Sequence, residues 1–317
     1  MQKRFWLMGM LILVGAAYAL QKAAPLRGEW RPDEVAPGVY VIHGPTELPS
    51  PSNQGFMNNP AFVVSDEGVV VIDPGSSVQV GEMLLARIEE VTDKPILAVF
   101  NSHIHGDHWL GNQAIRARYP EVPIYGHDRV GPKILAGAGT QWVQLMLRLT
   151  ENATLGTDVV APDRPVKDGD ELAIGGLTYR VMNNDKAHTD TDIMLHIKER
   201  DVMFLGDNAG HGRILRLEGG SFPGNITALE NALASGATVF VPGHGPSGGS
   251  EVATRYRDYL QTLYETVQQG VAEGLADFEI RPLLLPKLGP WQQWAGFDSE
   301  LGPHISGAYL EAEAAAF

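Results

Sequence analysis

Between Asn101 and Trp109 the chain reads Asn-Ser-His-Ile-His-Gly-Asp-His-Trp, with His103, His105, Asp107 and His108 inside six consecutive positions. The apolar run Pro95 to Phe100 precedes it and predicts a buried strand that ends where the motif begins. Neutral imidazole nitrogens beside a hard carboxylate oxygen are the donors a divalent cation takes. With only 10 histidines in 317 residues, a plain polar loop rarely acquires such a run. The segment therefore reads as a metal-binding loop carried on the end of a sheet strand.

A chain of this length, 44% hydrophobic, can bury a full core as one large or two small domains. Its formal charge of -14 argues against a nucleic-acid partner, which would call for a positive surface. Lys3 and Arg4 precede an apolar stretch from Phe5 to Val14, and small residues follow to Ala17-Tyr18-Ala19. That order is a signal peptide over residues 1–19, so the expectation is an exported protein, periplasmic or secreted, beginning near Leu20. A membrane is a partner only if this segment stays uncleaved as an anchor. The absence of cysteine excludes a disulfide framework, a thiolate ligand and a Cys nucleophile.

Periodicity predicts strands over Gly38–His43, Ala61–Ser65 and Val69–Ile72, the last two joined as a hairpin through Asp66-Glu67-Gly68. Helical spacing follows over Val78 to Val91, then a short helix over Asn112–Tyr119 and a strand over Pro123–Tyr125. Residues 131–155 read as a helix, either packing on the core or serving as a substrate lid. Residues 44–60 carry a mobile-loop composition. The second half returns to strands at Glu171–Ile174, Leu177–Met182, Ile193–Ile197, Val202–Leu205 and Thr238–Val241. Helices are expected at Asn225–Ser235 and from Glu251 to about Ala276, the latter opening a helical C-terminal extension at about residue 249. Two such halves predict an α/β (α+β) sandwich of two sheets with helices on both outer faces, in one domain over residues 20–317.

Three more loops put a His or Asp at a strand boundary. They are Ala187-His188-Thr189-Asp190-Thr191-Asp192, Leu205-Gly206-Asp207-Asn208 and Pro242-Gly243-His244-Gly245. Each is a weak signal alone, and four in order form a strong one. From about Gly38 to Gly245 these motifs resemble the metallo-β-lactamase-fold hydrolases, and the phrases AHTDTD and FLGDN are most similar to exported zinc metallohydrolases associated with quinoprotein systems and to glyoxalase II-like thioesterases.

The resemblance implies an αββα four-layer sandwich with two metal ions, usually zinc, with iron or manganese as alternatives. It implies that His103, His105 and His188 hold one ion, that Asp107, His108 and His244 hold the other, and that Asp207 bridges them. It further implies that Asp73 supports the metal loop, and Asp192 is a candidate to do the same for His188. The spacing is compatible: residues 103 and 105 share a face of an extended chain, and Gly106 lets the backbone turn toward a second ion. Two metals would lower the pKa of a bridging water from 15.7 toward about 7, with Asp107 the candidate to take its proton in catalysis. The other histidines, His43, His127, His196, His211 and His304, fit no ligand position. His196 reads as an exposed strand residue, and His211 as a loop residue or a second pocket residue near Asp207.

The expected activity is hydrolysis of a small-molecule ester, thioester, lactone or cyclic amide by a dinuclear zinc centre. The best-known β-lactamase subclass has a cysteine ligand where this chain has Asp207, which makes a β-lactamase the alternative and not the first reading. An iron-dependent oxidoreductase on the same fold is disfavoured, because family oxidases of the flavodiiron type carry Glu at the position of His105. A non-catalytic binding protein fits poorly with a full ligand set.

Overall fold

A computed structural model describes residues 22–316. The signal-peptide reading falls on residues 1–19, outside the described residues. Among the described residues no helix is long and apolar enough to cross a membrane.

Among the described residues, twelve strands form two sheets. The first has seven strands in chain order: β1 (Asp33–Ala36), β2 (Val39–Val41), β3 (Ala61–Val64), β4 (Val69–Ile72), β5 (Ile96–Phe100), β6 (Ile124–His127) and β7 (Arg164–Val166). Pairing is antiparallel from β1 to β4 and parallel from β4 to β7. The second sheet runs β12 (Val239–His244), β11 (Val202–Gly210), β10 (Met194–Ile197), β9 (Leu177–Met182) and β8 (Glu171–Ile174). Only β11 and β12 are parallel in it.

Alternation along the strands explains the layering. In β3, β4 and β5 one set of side chains, Ala61, Val63, Val70, Ile72, Ala98 and Phe100, meets Tyr179, Val181, Leu195, Ile197, Val202 and Phe204 of the second sheet. The intervening set, Phe62, Val69, Val71 and Val99, packs under Leu84 and Ile88 of the helix Val78–Val91. On the far side Met194, Met203, Leu205 and Phe240 are covered by the helices Phe222–Leu233, Glu251–Ala272 and Phe297–Ala316. The result is the αββα sandwich. Ser77 starts the first helix by accepting a hydrogen bond from the Val80 amide, a favoured N-cap arrangement.

Several details depart from expectation. The strands β1 and β7 are absent from the expected set: both lie at the sheet's edges with mostly exposed or half-buried residues, and β7 carries Pro165. The expected single helix over residues 131–155 breaks into Val130–Lys133, a wide turn over Ile134–Ala138 and a helix over Gly139–Leu149, with Gly137 at φ 126°. Residues 44–60 are not uniformly loose: Phe56, Met57, Asn58 and Asn59 are buried, and the Asn59 side-chain amide donates to Pro242 O at 2.9 Å and Gly245 O at 2.7 Å. Composition registers a lack of regular structure, but backbone-satisfying amides can fix such a loop. His196 lies opposite Leu195 as alternation requires, yet is only 8% exposed, because the outer face of β10 is covered rather than open.

Candidate metal centre

The centre forms where the ends of β5, β11 and β12 and the start of β10 meet at one edge of the sandwich. His103 and His105 follow β5, and Asp107 and His108 sit in the one-turn helix Gly106–Trp109. His188 lies in the loop that leads into β10, Asp207 lies within β11, and His244 ends β12. The Ile193 amide donates to Ser102 O at 2.7 Å and the Asn59 amide to Gly243 O at 2.9 Å, so main-chain bonds stitch the edge together. Gly106 has an ordinary helical backbone, not a left-handed turn. It must be glycine because Trp142 approaches so closely that a Cβ there would stand 2.8 Å from the Trp142 Cβ. Gly243 is likewise required: a Cβ would lie 2.0 Å from Asp207 Oδ1.

All seven predicted ligands converge, and in two groups. His103, His105, His188 and Asp207 offer donor atoms within 4.8 Å of one another, and so do Asp107, His108 and His244. Asp207 faces both. Its Oδ1 stands 3.1 Å from His108 Nε2 and 3.3 Å from His244 Nε2, and its Oδ2 stands 3.6 Å from His188 Nε2 and 3.8 Å from His103 Nε2. Asp107 Oδ2 lies 3.2 Å from His244 Nε2.

The donor set fits divalent metal ions. His103 Nε2, His108 Nε2 and Asp207 Oδ1 are buried with no hydrogen-bond partner, a costly state unless a cation satisfies them. Burial pushes His188 down to about 3 and holds His103 and His105 low, which keeps their imidazoles in the neutral, ligating form. Burial works against a charged His108 as well, but Asp207, Asp107 and Asp73 together carry it well above the usual range. The carboxyls of Asp107 and Asp207 stay well below theirs: burial opposes it, but His108 and His244 outweigh it.

The supporting residues divide differently from expectation. Asp73, at φ 47°, accepts from His108 Nδ1 at 2.8 Å and from the Ser102 amide at 2.7 Å, so one carboxylate orients a donor ring and the loop that carries it. Asp192 does not touch the His188 ring. It accepts from the Thr189 amide and hydroxyl, both at 2.7 Å, and so shapes the turn after His188 instead, and burial pushes its carboxyl up to about 7. Two further ring nitrogens not aimed at the centre are held by residues that no sequence pattern flags. Ser102 Oγ meets His103 Nδ1 at 2.9 Å, and His244 Nδ1 donates to Met57 O at 2.7 Å.

Above the donors opens a cavity of about 490 Å³. His105, Asp107, His188, Asp207 and His244 line its floor, with Leu48, Pro49 and Met57 on one side and Trp142, Leu145 and Leu149 on another. Trp142 tilts over His105 with ring centroids 5.2 Å apart. The helix Gly139–Leu149 thus contributes a wall of the cavity. Arg213, Leu215, Arg216 and Glu218 complete the wall after β11. Arg213 is 7% exposed; its guanidinium donates to Glu47 O at 3.4 Å and stands 3.2 Å from His244 Nδ1. Nothing in the sequence separates Arg213 from Arg216 three residues on. His211 is absent from the lining; its Nδ1 donates to Pro246 O at 2.9 Å.

The family model described as the metallo-beta-lactamase superfamily matches residues 54–244, from the latched loop through the last histidine of the centre. The chain belongs to that superfamily. A linear primary-alkylsulfatase from Pseudomonas sp. (strain ATCC 19151) is 25% identical over 69% of this chain and 48% of its own length. A hydroxyacylglutathione hydrolase from Yersinia enterocolitica is 29% identical over 50% of this chain and 51% of its own. The chain thus spans about half the length of these curated relatives. Among solved structures, the sec-alkylsulfatase Pisa1 from Pseudomonas sp. matches with a TM-score of 0.68 at 15% identity, over 89% of this chain and 50% of that one. A metallo-beta-lactamase from Pontibacter korlensis matches at 0.57 with 20% identity, over 74% of this chain and 99% of that one. At such identities the solved structures establish the superfamily fold alone.

Proposed function

We propose that this chain is a dinuclear zinc hydrolase of a small ester, thioester, lactone or cyclic amide with an apolar portion. The observation that carries this is Asp207, whose two carboxylate oxygens face two separate donor groups on the floor of one cavity. Two divalent ions, when bound, supply Lewis-acid polarisation and hydroxide at neutral pH, by lowering the pKa of water from 15.7 to about 7. His103, His105 and His188 would hold one ion, Asp107, His108 and His244 the other, and Asp207 both. Asp107 lines the cavity as well as facing His244, so its carboxylate can accept a proton from the attacking water. Leu48, Leu145, Leu149 and Trp142 exclude water from the bound substrate and favour an apolar group on it.

Similarity to a hydroxyacylglutathione hydrolase supports a thioester or ester substrate. Similarity to an alkylsulfatase over 69% of the chain favours a second reading, in which the bond cleaved is a sulfate ester. Aspartate in place of a cysteine ligand weighs against a β-lactam.

The deciding experiment pairs elemental analysis of the purified protein with a panel of p-nitrophenyl esters, a hydroxyacyl-glutathione thioester, a lactone, a β-lactam and an alkyl sulfate. The expected result is zinc near two ions per chain and chelator-sensitive turnover of a carbonyl substrate. Iron with oxygen uptake, or inactivity across the panel in a fully metallated protein, would remove the reading. The leader in residues 1–19 makes this an exported enzyme in the same proposal, and N-terminal sequencing of the mature chain, expected to start near Leu20, tests that part.

A further inference from the structure

The loop after β11 carries Arg213 and Leu215 into the cavity wall, where the Arg213 guanidinium donates to Glu47 O at 3.4 Å and stands 3.2 Å from His244 Nδ1, but the sheets leave the main chain from Gly212 to Leu215 to other partners. The C-terminal layer, its helices and the connection before the last of them, holds that main chain. The Ile214 amide donates to Ala295 O at 2.8 Å, and the Ala295 amide donates back to Gly212 O at 2.9 Å. Leu215 is held at both of its main-chain groups by side chains. Its amide donates to Tyr256 Oη at 3.1 Å, and its carbonyl accepts from His304 Nε2 at 2.9 Å. Tyr259 Oη in turn meets His304 Nδ1 at 2.9 Å. With Nε2 donating, the neutral ring must accept at Nδ1, so the tyrosine hydroxyl fixes the tautomer that Leu215 needs.

Tyr256, Tyr259, His304 and Leu215 are all buried, where an unpaired main-chain group is costly. Such polar pairing inside an otherwise apolar helix layer specifies one position of the loop, where apolar packing alone would tolerate several. Tyr256 and Tyr259 stand on the helix Glu251–Ala272 and His304 on the helix Phe297–Ala316, behind the second sheet. None of them lines the cavity.

We infer that Tyr256 and His304, with Tyr259 behind it, are positioning residues for the substrate wall: they set where Leu215 and Arg213 stand relative to the metal centre. The C-terminal helical layer is then a working part of the site, reaching it through the back of the sheet. Only the kinetic arm of the test below rests on the hydrolase reading.

The experiment is hydrogen–deuterium exchange on the zinc-loaded full chain, comparing wild type with Tyr256→Phe, His304→Leu and His304→Gln. Losing either bond to Leu215 should speed exchange over residues 212–217 by about tenfold, with residues 101–109 and the zinc content unchanged. A glutamine side chain offers an amide N–H to the same carbonyl, so His304→Gln should restore slow exchange where His304→Leu does not. In the kinetic arm, using the p-nitrophenyl ester that wild type turns over best, Tyr256→Phe should raise KM several-fold with kcat nearly constant. Unchanged exchange over 212–217 in both Tyr256→Phe and His304→Leu overturns the inference. So does faster exchange that spreads equally to 101–109, which would mark general loosening. A failed hydrolase reading leaves the exchange result standing, so the two failures are distinguishable.

Discussion

Asp73 Oδ2 accepts from His108 Nδ1 at 2.8 Å, while the other oxygen of the same carboxylate accepts the Ser102 amide at 2.7 Å. One side chain on β4's end therefore fixes both the ring of a metal donor and the start of the loop bearing the rest. Removing such an outer partner typically weakens metal binding about 10- to 100-fold. Asp73→Ala should lower zinc affinity by that order, measured by competition with a chromogenic chelator. Wild-type affinity in the variant would mean that the packing of Trp109 and Leu110 alone orders the loop.

Asp207 is expected to be less replaceable. Its carboxylate is the one group shared between the two donor sets, so Asp207→Ala should reduce zinc below two ions per chain and cut hydrolysis by at least about 100-fold. The sandwich core contains no part of that side chain, and far-ultraviolet circular dichroism should stay native. His105→Ala should behave alike. Full activity in either variant would eliminate the two-metal mechanism.

Much of this site is legible because its signals are local in sequence. The run from His103 to His108, and the His188, Asp207 and His244 loops, each mark a strand end, and the alternation of Ala61, Val63, Val70 and Ile72 against Phe62, Val69 and Val71 marks the layers. What escapes is set by tertiary contact. The main chain on either side of Arg213 is tied to Ala295, and Leu215 to Tyr256 and His304, residues 41 to 89 positions away in sequence for the Leu215 pair. No period reports that. Asp192 is expected at the His188 ring, yet its side chain turns to the nearer Thr189 donors, since a short carboxylate satisfies adjacent backbone first. The burial of His196 depends on coverage of the outer sheet face, to which two-residue alternation is blind.

His304 gives a pH prediction. Burial lowers its pKa from the ordinary 6.5 to about 4. The unfolded chain therefore binds a proton between those values that the folded chain does not, and folding loses stability as pH falls through that window. The contribution is fully present above pH 6.5 and declines toward pH 4, by roughly 3 kcal/mol at most from the usual 1.36 kcal/mol per unit. His304→Gln keeps a donor for Leu215 and does not titrate. Urea denaturation at pH 7 and pH 4.5 should show a smaller acid loss in the variant than in wild type. An equal loss in both would show that other groups set the acid limit.

The apolar rim of the cavity sets the last expectation. Leu48 is 58% exposed and Leu149 39% exposed, on opposite segments that both line the cavity, so neither contributes much to folding. A substrate acyl chain laid between them would bury apolar surface that is open in the free enzyme. At about 25 cal/mol per Å², covering half of the exposed part of each leucine amounts to roughly 2 kcal/mol together, or about a 30-fold change in binding. Leu48→Ser with Leu149→Ser should therefore raise KM for a p-nitrophenyl hexanoate far more than for the acetate, with thermal stability unchanged. The gain in kcat/KM with acyl length should flatten in the double variant. Parallel losses for both esters would place the acyl group elsewhere, against Trp142 and Leu145 deeper in the same cavity.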